Sequence, residues 1–309
     1  MTTPSPMRQS DIEARLQLRA RVLRALRSFF EAHGYLEIET PIRIPAPAPE
    51  AHIDPEPAGK AYLQTSPELC MKRLLAAGYP RLYQICRCFR RGERGRRHLP
   101  EFTLLEWYTA DSDYRDMMRQ TEALVKYVTR CLATGGRLPF QGKVIDLEGP
   151  FQRMTVDQAF EAYADSTADG ALAGGRFDEI VGVTIEPWLG WDRPVFLCDY
   201  PAECAALARL KPHLPSRAER FELYIGGVEL CNGFSELTDP AEQRRRFETE
   251  LEERRQARRP ATPMPERFLQ DLERMPPATG NALGVDRLVM LFADTLSIDD
   301  VTAFVPEEL

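Results

Sequence analysis

The sequence lacks the features that mark several common classes of protein. It contains no apolar run approaching the ~20 residues of a membrane-spanning helix, and its N-terminus does not resemble a signal peptide. Neither GxGxxG nor GxxxxGK followed by Ser or Thr occurs, so a Rossmann or P-loop nucleotide site is not supported. These absences favour a cytoplasmic protein that does not engage a membrane.

The chain also lacks a net positive charge, and it has few clustered metal-binding side chains. The net charge is −7, whereas a generic nucleic-acid-binding domain is usually basic. The seven cysteines form no CxxC pair and the four histidines are scattered, so a zinc cluster is not predicted. An odd number of cysteines fits reduced thiols in the cytosol. A length of 309 residues with 43% hydrophobic residues is typical of a soluble chain of one large domain or two.

A dense arginine cluster is the most distinctive feature that is present. Six arginines fall within residues 87–97, between predicted strands over 82–90 and 101–108. Period-two alternation places three functional side chains on one face of the second strand: Phe102, Glu106 and Tyr108. A cationic loop beside a ring and a carboxylate suits an anionic ligand that has a flat base and a cationic end. A solvated hairpin tip is the alternative.

A second hairpin is predicted over residues 221–237, with its turn at Gly226-Gly227. Alternation along its second strand places Asn232, Phe234 and Glu236 on one face, and Glu229 and Cys231 on the other.

Carboxylates on these strands suggest binding sites for cations. Burying a carboxylate is costly unless it meets a cation, so Glu106 and Glu236 are candidate receptors for ammonium groups or metal. Glu222 and Glu229 are seven residues apart across the glycine turn and could meet as a Mg²⁺ pair. Ordinary solvated glutamates on a half-exposed sheet are the alternative for each one.

The C-terminal part of the chain predicts a glycine-punctuated strand and an apolar helix over residues 280–292. Asp286 and Arg287 lie where this helix begins. An arginine there could bind triphosphate oxygens in a fixed, bidentate geometry. An ordinary first-turn salt bridge is the alternative.

The predicted elements give an α+β fold with an antiparallel sheet flanked by helices, because strands occur in separated hairpins without βαβ repeats. No Ser/His/Asp or Cys/His spacing stands out. An acyl-adenylate reaction needs no protein nucleophile, since the substrate carboxylate attacks the α-phosphorus while arginines and Mg²⁺ stabilise the phosphate charge.

The chain resembles class II aminoacyl-tRNA synthetases of the lysyl branch over nearly its whole length. Three stretches are similar to the three class II motifs, in order: GYLEIETP, FRRGERGRRHLPEF and GNALGVDRL. Three more are similar to lysyl-specific segments: TSPELCMKRLL, VFLCDYPAECAALA and FELYIGGVELCNGFSEL. The resemblance implies the class II catalytic core and an ATP-dependent, AMP-forming aminoacyl ligase.

The resemblance also implies roles for the matching residues on the ATP side. Arg90 would bind the α-phosphate, Phe102 would stack on adenine and Arg287 would bind the γ-phosphate, so that the two arginines are the catalytic pair. The residues assigned to ATP are Arg90, Glu93, His98, Phe102, Glu229 and Arg287. Glu222 and Glu229 would hold Mg²⁺.

On the amino-acid side, Glu68 would receive the substrate's backbone-end amine, and Tyr108 and Glu236 its side-chain ammonium. Glu106 would support this pocket. The residues assigned to the lysine or β-lysine substrate are Ser66, Glu68, Glu106, Tyr108, Asn232, Phe234, Glu236 and Ala282.

Two departures from the family pattern fall in motif 2. Leu99 stands where the family usually has Asn, and Gly92 occupies a position that is acidic in many synthetases. Glu93, one residue later, is the candidate replacement for that acidic group.

Within the family, the chain resembles the branch that transfers (R)-β-lysine to the ε-amino group of a lysine on elongation factor P. The first helix is predicted to begin near Ser10, which leaves no room for the anticodon-binding OB-fold. Ala282 stands where lysyl-tRNA synthetases have glycine. Its methyl would narrow the pocket against an α-amino acid, an effect worth roughly 1–3 kcal/mol. An ordinary core alanine is the alternative.

The sequence therefore predicts one catalytic domain over residues 1–309, with a subdomain or insertion at about 135–190. We expect a homodimer, with the arginines of the first hairpin and of residues 244–259 as candidates for holding an acidic partner. The competing hypotheses are a truncated lysyl-tRNA synthetase that charges tRNA and a regulatory module that binds ligand without turnover. The missing OB-fold disfavours the first of these, so tRNA is not expected as a substrate. The intact ATP residues disfavour the second.

Overall fold

The computed structural model describes residues 7–309. Within them the helices are α1 (Arg8–Asp11), α2 (Glu13–Ala32), α3 (Glu68–Ala76), α4 (Tyr114–Cys131), α5 (Val156–Tyr163), α6 (Ala168–Ala173), α7 (Phe177–Glu179), α8 (Pro240–Gln256), α9 (Glu266–Leu272) and α10 (Val285–Phe292). The strands are β1 (Leu36–Glu37), β2 (Arg43–Ile44), β3 (Pro57–Ala58), β4 (Ala61–Leu63), β5 (Arg81–Phe89), β6 (Glu101–Ala110), β7 (Arg137–Phe140), β8 (Lys143–Asp146), β9 (Gln152–Thr155), β10 (Val195–Cys198), β11 (Leu210–Lys211), β12 (Leu214–Ala218), β13 (Arg220–Ile225), β14 (Val228–Ser235) and β15 (Ala278–Gly284).

One large sheet organises the chain, with strand order β1-β5-β6-β15-β14-β13-β10-β9. The six central strands pair antiparallel, and the outermost strands β1 and β9 add in parallel. The predicted α+β class is confirmed, with parallel edges that the hairpin pattern did not indicate. No helix within residues 7–309 is long and apolar enough to cross a membrane.

Both predicted hairpins are present. β5 and β6 pair along their full lengths, from Arg81 opposite Thr109 to Phe89 opposite Glu101, so the arginine-rich segment is the connection between them. β13 and β14 turn at Gly226 and Gly227, which both have positive φ angles (58° and 70°).

Alternation along β6 gives the sheet an apolar face and a polar face. Leu105 and Trp107 are buried in the main core, to which α2, α4 and α10 also contribute side chains. Because successive side chains point to opposite faces of a strand, Phe102, Glu106 and Tyr108 lie on the other face. The side chains predicted to bind ligands therefore lie on one face of the sheet, and these helices pack against the opposite face.

Residues 135–190 contain a small core of their own. Helices α5, α6 and α7 and a π-helical turn over Ile180–Ile185 pack around Phe160 and Phe177, whose ring centroids are 5.4 Å apart. This cluster continues onto β10 and so adjoins the main sheet. The division into one catalytic domain with a subdomain here stays a prediction.

Candidate active site

A cavity of about 640 Å³ opens on the polar face of the sheet, between the β5–β6 connection, β14, β15 and the start of α10. Nine side chains that the sequence singled out line it: Arg90, Glu93, His98, Phe102, Glu229, Asn232, Phe234, Ala282 and Arg287. The two hairpins and the C-terminal strand and helix, which are distant in sequence, thus meet at one site.

Arg90 carries a buried polar group that has no partner among residues 7–309. Its backbone N–H donates to Pro100 at 2.8 Å, and its guanidinium lies 5.1 Å from the Phe102 ring centroid. Glu93 is only loosely paired with it, at 3.9 Å. Arg90 Nε is buried and has no hydrogen-bond partner within the described residues. An unmade hydrogen bond on a buried charged group is costly, so this site fits a bound anion such as a phosphate.

Arg287 is fixed by two neighbours at the other end of the cavity. Its Nη1 donates to Glu229 Oε2 at 2.9 Å, and its Nη2 lies 2.6 Å from His98 Nε2. Loss of hydration and the Arg287 charge lower the pKa of His98, so the ring is neutral and accepts this hydrogen bond. Arg287 therefore does form a salt bridge at the helix start, with Glu229 on β14, and Asp286 forms another by accepting from Arg19 Nη1 at 2.5 Å.

A buried ion cluster lies beside the cavity, and its central cation was missed in the sequence. Lys72 is 1% exposed, and its Nζ lies 2.5 Å from both Glu68 Oε1 and Glu236 Oε2. The Phe234 ring centroid is 5.1 Å away. Lys72 follows Glu68 by four residues on α3, so helical spacing could have indicated the pair.

Glu236 has one carboxylate oxygen without a partner within the described residues. It is 1% exposed, and its Oε2 lies 2.5 Å from Lys72 Nζ. Its buried Oε1 has no hydrogen-bond donor among residues 7–309. Burial raises the pKa of Glu236 to about 8, against the opposing effect of Lys72. A second ammonium group would supply the missing donors.

Glu106 is 1% exposed and lies behind the residues that line the cavity. It accepts hydrogen bonds from Ser66 Oγ at 2.5 Å and from the Tyr108 hydroxyl at 2.9 Å. Burial, followed by the charge of Glu68, raises the pKa of Glu106 to about 8. The face predicted for Glu106 and Tyr108 is confirmed, while their roles toward a substrate stay predictions.

Gly280 allows the pocket to be this compact. It lies opposite Tyr108 across the β15–β6 pair. A Cβ atom at this position would lie 2.3 Å from the Tyr108 ring and 2.5 Å from Glu236 Oε1. Only glycine fits where the ring and the carboxylate approach the backbone this closely.

Ala282 lies on one rung of the sheet with two other predicted substrate residues. It pairs with Asn232 on β14 and with Glu106 on β6. Its partly exposed methyl lines the cavity. Asn232 is oriented by Arg220 Nε, which donates to its Oδ1 at 3.2 Å.

The prediction that Glu229 faces away from Asn232 is wrong. A register shift after Leu223 places Glu229 opposite Tyr224, and both Glu229 and Asn232 line the cavity. A β-bulge of this kind breaks strict alternation and re-aims side chains. The bulge brings the two predicted Mg²⁺ carboxylates, Glu222 and Glu229, to one face of the sheet, although they are not direct cross-strand partners. The Tyr224 hydroxyl, opposite Glu229, donates to Glu222 at 2.6 Å.

A third glutamate lies near this pair. Glu186 lies in a 3₁₀ turn after the π-helical segment, and its Oε1 is 3.2 Å from the Tyr224 hydroxyl oxygen. Burial, then the charges of Glu229 and Glu222, raises the pKa of Glu186 to about 7. Nothing in the sequence pattern of this segment indicated the approach. Within residues 7–309 no group of three or more His, Cys, Asp or Glu could hold a metal by itself. Two carboxylates completed by phosphates and water are nevertheless what Mg²⁺ commonly uses.

The two departures in motif 2 have local explanations. Leu99 is 3% exposed and packs in the main core, so its side chain is apolar where the family usually has an amide. Gly92 has a φ of +77°, a conformation that suits glycine and strains other residues.

Residues 5–308 match the family model for tRNA synthetases class II (D, K and N). The chain belongs to this family. It is therefore an aminoacyl ligase of the class II type, and the predicted fold and enzyme class are confirmed.

Curated relatives of two kinds match it. "Elongation factor P--(R)-beta-lysine ligase" of Edwardsiella ictaluri is 40% identical and that of Erwinia tasmaniensis 38%, each over 94% of both chains. "Lysine--tRNA ligase" of Moorella thermoacetica is 39% identical over 93% of this chain, but the match covers 64% of that relative.

Proposed function

We propose that the protein activates (R)-β-lysine as an aminoacyl-adenylate and transfers it to the ε-amino group of a lysine on elongation factor P. The observation that carries this proposal is the pair of unsatisfied groups at the site. Within residues 7–309, neither the buried Arg90 Nε nor the buried Glu236 Oε1 has a hydrogen-bond partner. ATP would supply an anion to Arg90. A substrate with a carboxylate for activation at one end and an ammonium at the other would supply N–H donors to Glu236.

ATP would bind along the arginine side of the cavity. Phe102 offers a ring face for the adenine, Arg90 binds the α-phosphate, and Arg287 with His98 binds the distal phosphates. Glu222 and Glu229 would hold Mg²⁺, which supplies positive charge to the phosphate oxygens. The chain itself needs no nucleophile, because positioned cations stabilise the charge that develops at the α-phosphorus.

The diammonium substrate would bind with one amine at Glu68 and the other at Glu236 and Tyr108. Glu68, Glu106 and Glu236 face a single internal cation, Lys72, so the pocket has capacity for further positive charge. The methyl of Ala282 narrows the cavity on the same rung as Asn232. This supports a β-amino acid over the α-isomer.

The alternative function is charging of tRNA with α-lysine, in view of the identity to lysine–tRNA ligases. The ammonium-binding end of the pocket does not separate the two substrates. The first function is supported by the relatives named as elongation factor P ligases, which are 38–40% identical to this chain.

The proposed complex also includes a second copy of the chain. Leu36 and Ile42, on the motif 1 segment, are 49% and 45% exposed, which suits an interface. The α8 arginines suit an acidic partner less well than the sequence indicated, because most of them pair within the molecule: Arg244 with Glu266, Arg245 and Arg246 with Glu242, Arg254 with Asp54, and Arg255 with Glu252.

ATP–pyrophosphate exchange with (R)-β-lysine and with α-lysine tests the first half-reaction. We expect exchange with (R)-β-lysine at the higher kcat/KM. Label transfer to elongation factor P, and not to tRNA, tests the second half-reaction. Absence of exchange with either amino acid would overturn both enzymatic hypotheses. Transfer of label to tRNA alone would establish the alternative function.

A further inference from the structure

Glu50 is a charged side chain that the proposed chemistry has not used. It lies on the wall shared by the active-site cavity and a second cavity of about 410 Å³. Within the described residues its carboxylate takes part in no hydrogen bond or ion pair, and the contacts of this segment go through the backbone. Buried polar groups normally have hydrogen-bond partners, so a half-buried carboxylate that lacks one within the described residues indicates that a ligand supplies it.

The backbone around Glu50 is held firmly by helix α8. Arg254 is 1% exposed, and its Nη1 donates to Glu50 O at 2.8 Å and to Ile53 O at 2.7 Å. The N–H of Ala51 donates to Glu250 Oε2 at 2.6 Å. The backbone of Glu50 is thus fixed on both sides, while its carboxylate has no partner in the part of the chain that the structure describes.

Electrostatics favour a proton acceptor at this position. Burial raises the pKa of Glu50 to about 7, and Arg90 opposes this shift while Glu68, Glu250 and Glu93 reinforce it. A general base is most effective when its pKa lies near the working pH.

The second cavity offers an approach for a cationic group. It lies beside α8 and meets the active-site cavity at Glu50 and Ala206. Two arginines line it, Arg245 and Arg246, and both are paired with Glu242. Its wall also includes Glu203 and Glu253, both exposed and in no ion pair within residues 7–309. Carboxylates without an ion-pair partner at a mouth raise the local concentration of cationic groups.

We propose that this second cavity admits the acceptor lysine side chain of the partner protein and that Glu50 is the general base for the transfer step. The inference rests on the proposed function, because only an amine acceptor arrives protonated. A tRNA hydroxyl brings no ammonium to deprotonate.

The acceptor ammonium gives one proton to Glu50, and the lone pair of the freed amine attacks the carbonyl carbon of the aminoacyl-adenylate. A C–N bond forms, the bond from the carbonyl carbon to the phosphate oxygen breaks, and AMP leaves with that electron pair. The second proton on nitrogen passes to water or to the AMP phosphate, which leaves a neutral amide.

The experiment compares two nucleophiles in Glu50→Gln and wild type. Hydroxylamine is uncharged at neutral pH and captures the adenylate as a hydroxamate without needing a base. We expect transfer to elongation factor P to fall about 10²-fold more than hydroxamate formation, since general base catalysis typically contributes 10²–10⁴-fold. Glu50→Asp should recover part of the transfer rate.

Equal losses with both nucleophiles would overturn the proposal, because Glu50 would then act only in adenylate formation. A second experiment tests entry through the second cavity. Glu203→Gln combined with Glu253→Gln should raise the KM for the protein acceptor at low salt. The control Glu252→Gln lies on the same helix but outside the cavity wall and should not. An unchanged KM in the double variant would overturn the entry route. Absence of hydroxamate from wild type would overturn the proposed function itself.

Discussion

Lys72 Nζ lies 2.5 Å from Glu236 Oε2, deep beside the substrate pocket, and equally close to Glu68 Oε1. The protein thus supplies its own ammonium to the carboxylates that the family resemblance assigns to the substrate. This ion holds two acidic side chains in position before any ligand arrives. Glu236 Oε1 has no hydrogen-bond partner within the described residues, so binding of a substrate ammonium there does not require Lys72 to leave.

Replacing Lys72 by Met should therefore be strongly destabilising. The change keeps most of the side-chain volume but leaves Glu68 and Glu236 without their internal cation, and breaking a buried pair costs about 3–5 kcal/mol. Urea unfolding measures the effect. Lys126→Met is the matched control, because Lys126 pairs with Glu122 at the same i,i+4 spacing but is less buried, and should cost about 1 kcal/mol or less. A Lys72 variant as stable as the control would contradict this account.

The raised pKa of Glu106 predicts how stability depends on pH. The folded-state value of about 8 lies above the ordinary value near 4.3. Between these limits the folded protein binds more protons than the unfolded chain, so this group's contribution to stability is full below about 4.3 and is lost as pH rises towards 8.

Glu106→Gln should flatten that dependence, because the amide mimics the protonated acid and does not titrate. We expect the free energy of unfolding of the variant to fall less between pH 5 and 8 than that of wild type. The slope should shrink without vanishing, since the pKa of Glu236 is also raised. Parallel pH profiles for the two proteins would mean that Glu106 titrates normally.

Ala282→Gly tests the pocket's choice of amino acid. Removing the methyl should raise kcat/KM for α-lysine relative to (R)-β-lysine, by the roughly 1–3 kcal/mol that one methyl group can contribute. ATP–pyrophosphate exchange with both substrates gives the ratio. Ala278→Gly, on the same strand but buried outside the cavity, controls for general loosening and should leave the ratio unchanged. An unchanged ratio for Ala282→Gly would remove the argument for β-lysine.

Sequence periodicity located much of this site because the site is built on strands. Glu106 and Tyr108 were placed on the correct face of β6, since regular pairing with β5 and β15 keeps their alternation intact. Arg287 was placed correctly as well, because the glycine before the helix marks where it begins.

Three features escaped the sequence for identifiable reasons. The face of Glu229 depends on a β-bulge, and strict alternation cannot reveal an extra residue. Glu50 lies in a proline-rich segment without periodicity, and its surroundings come from a helix about 200 residues away. Lys72 looked like an ordinary helical lysine, because the second carboxylate that buries it arrives from a distant strand end.

Arg287→Lys tests whether Arg287 stabilises the phosphate charge that develops during the reaction. Lysine keeps the charge but loses the planar fork that contacts both Glu229 and His98. We expect kcat for exchange to fall about 10²–10³-fold, the usual cost of removing one positioned donor at a developing charge. Arg245→Lys, an exposed ion pair on α8, is the control and should exchange normally. Wild-type exchange by Arg287→Lys would exclude a transition-state contact.

Leu99→Asn introduces the residue that the family usually has, and it tests whether Leu99 serves core packing or replaces a contact with ATP. Leu99 is buried in the core, so the amide should lose apolar packing and leave polar atoms unpaired, at a cost of about 2–4 kcal/mol in the free energy of unfolding. Leu214→Asn, at an exposed position, should have little effect. A stable Leu99→Asn protein with a lower KM for ATP would show instead that the amide reaches the nucleotide. In that case the hairpin of this chain can bind ATP as its relatives do, and leucine has been accepted at the expense of that contact.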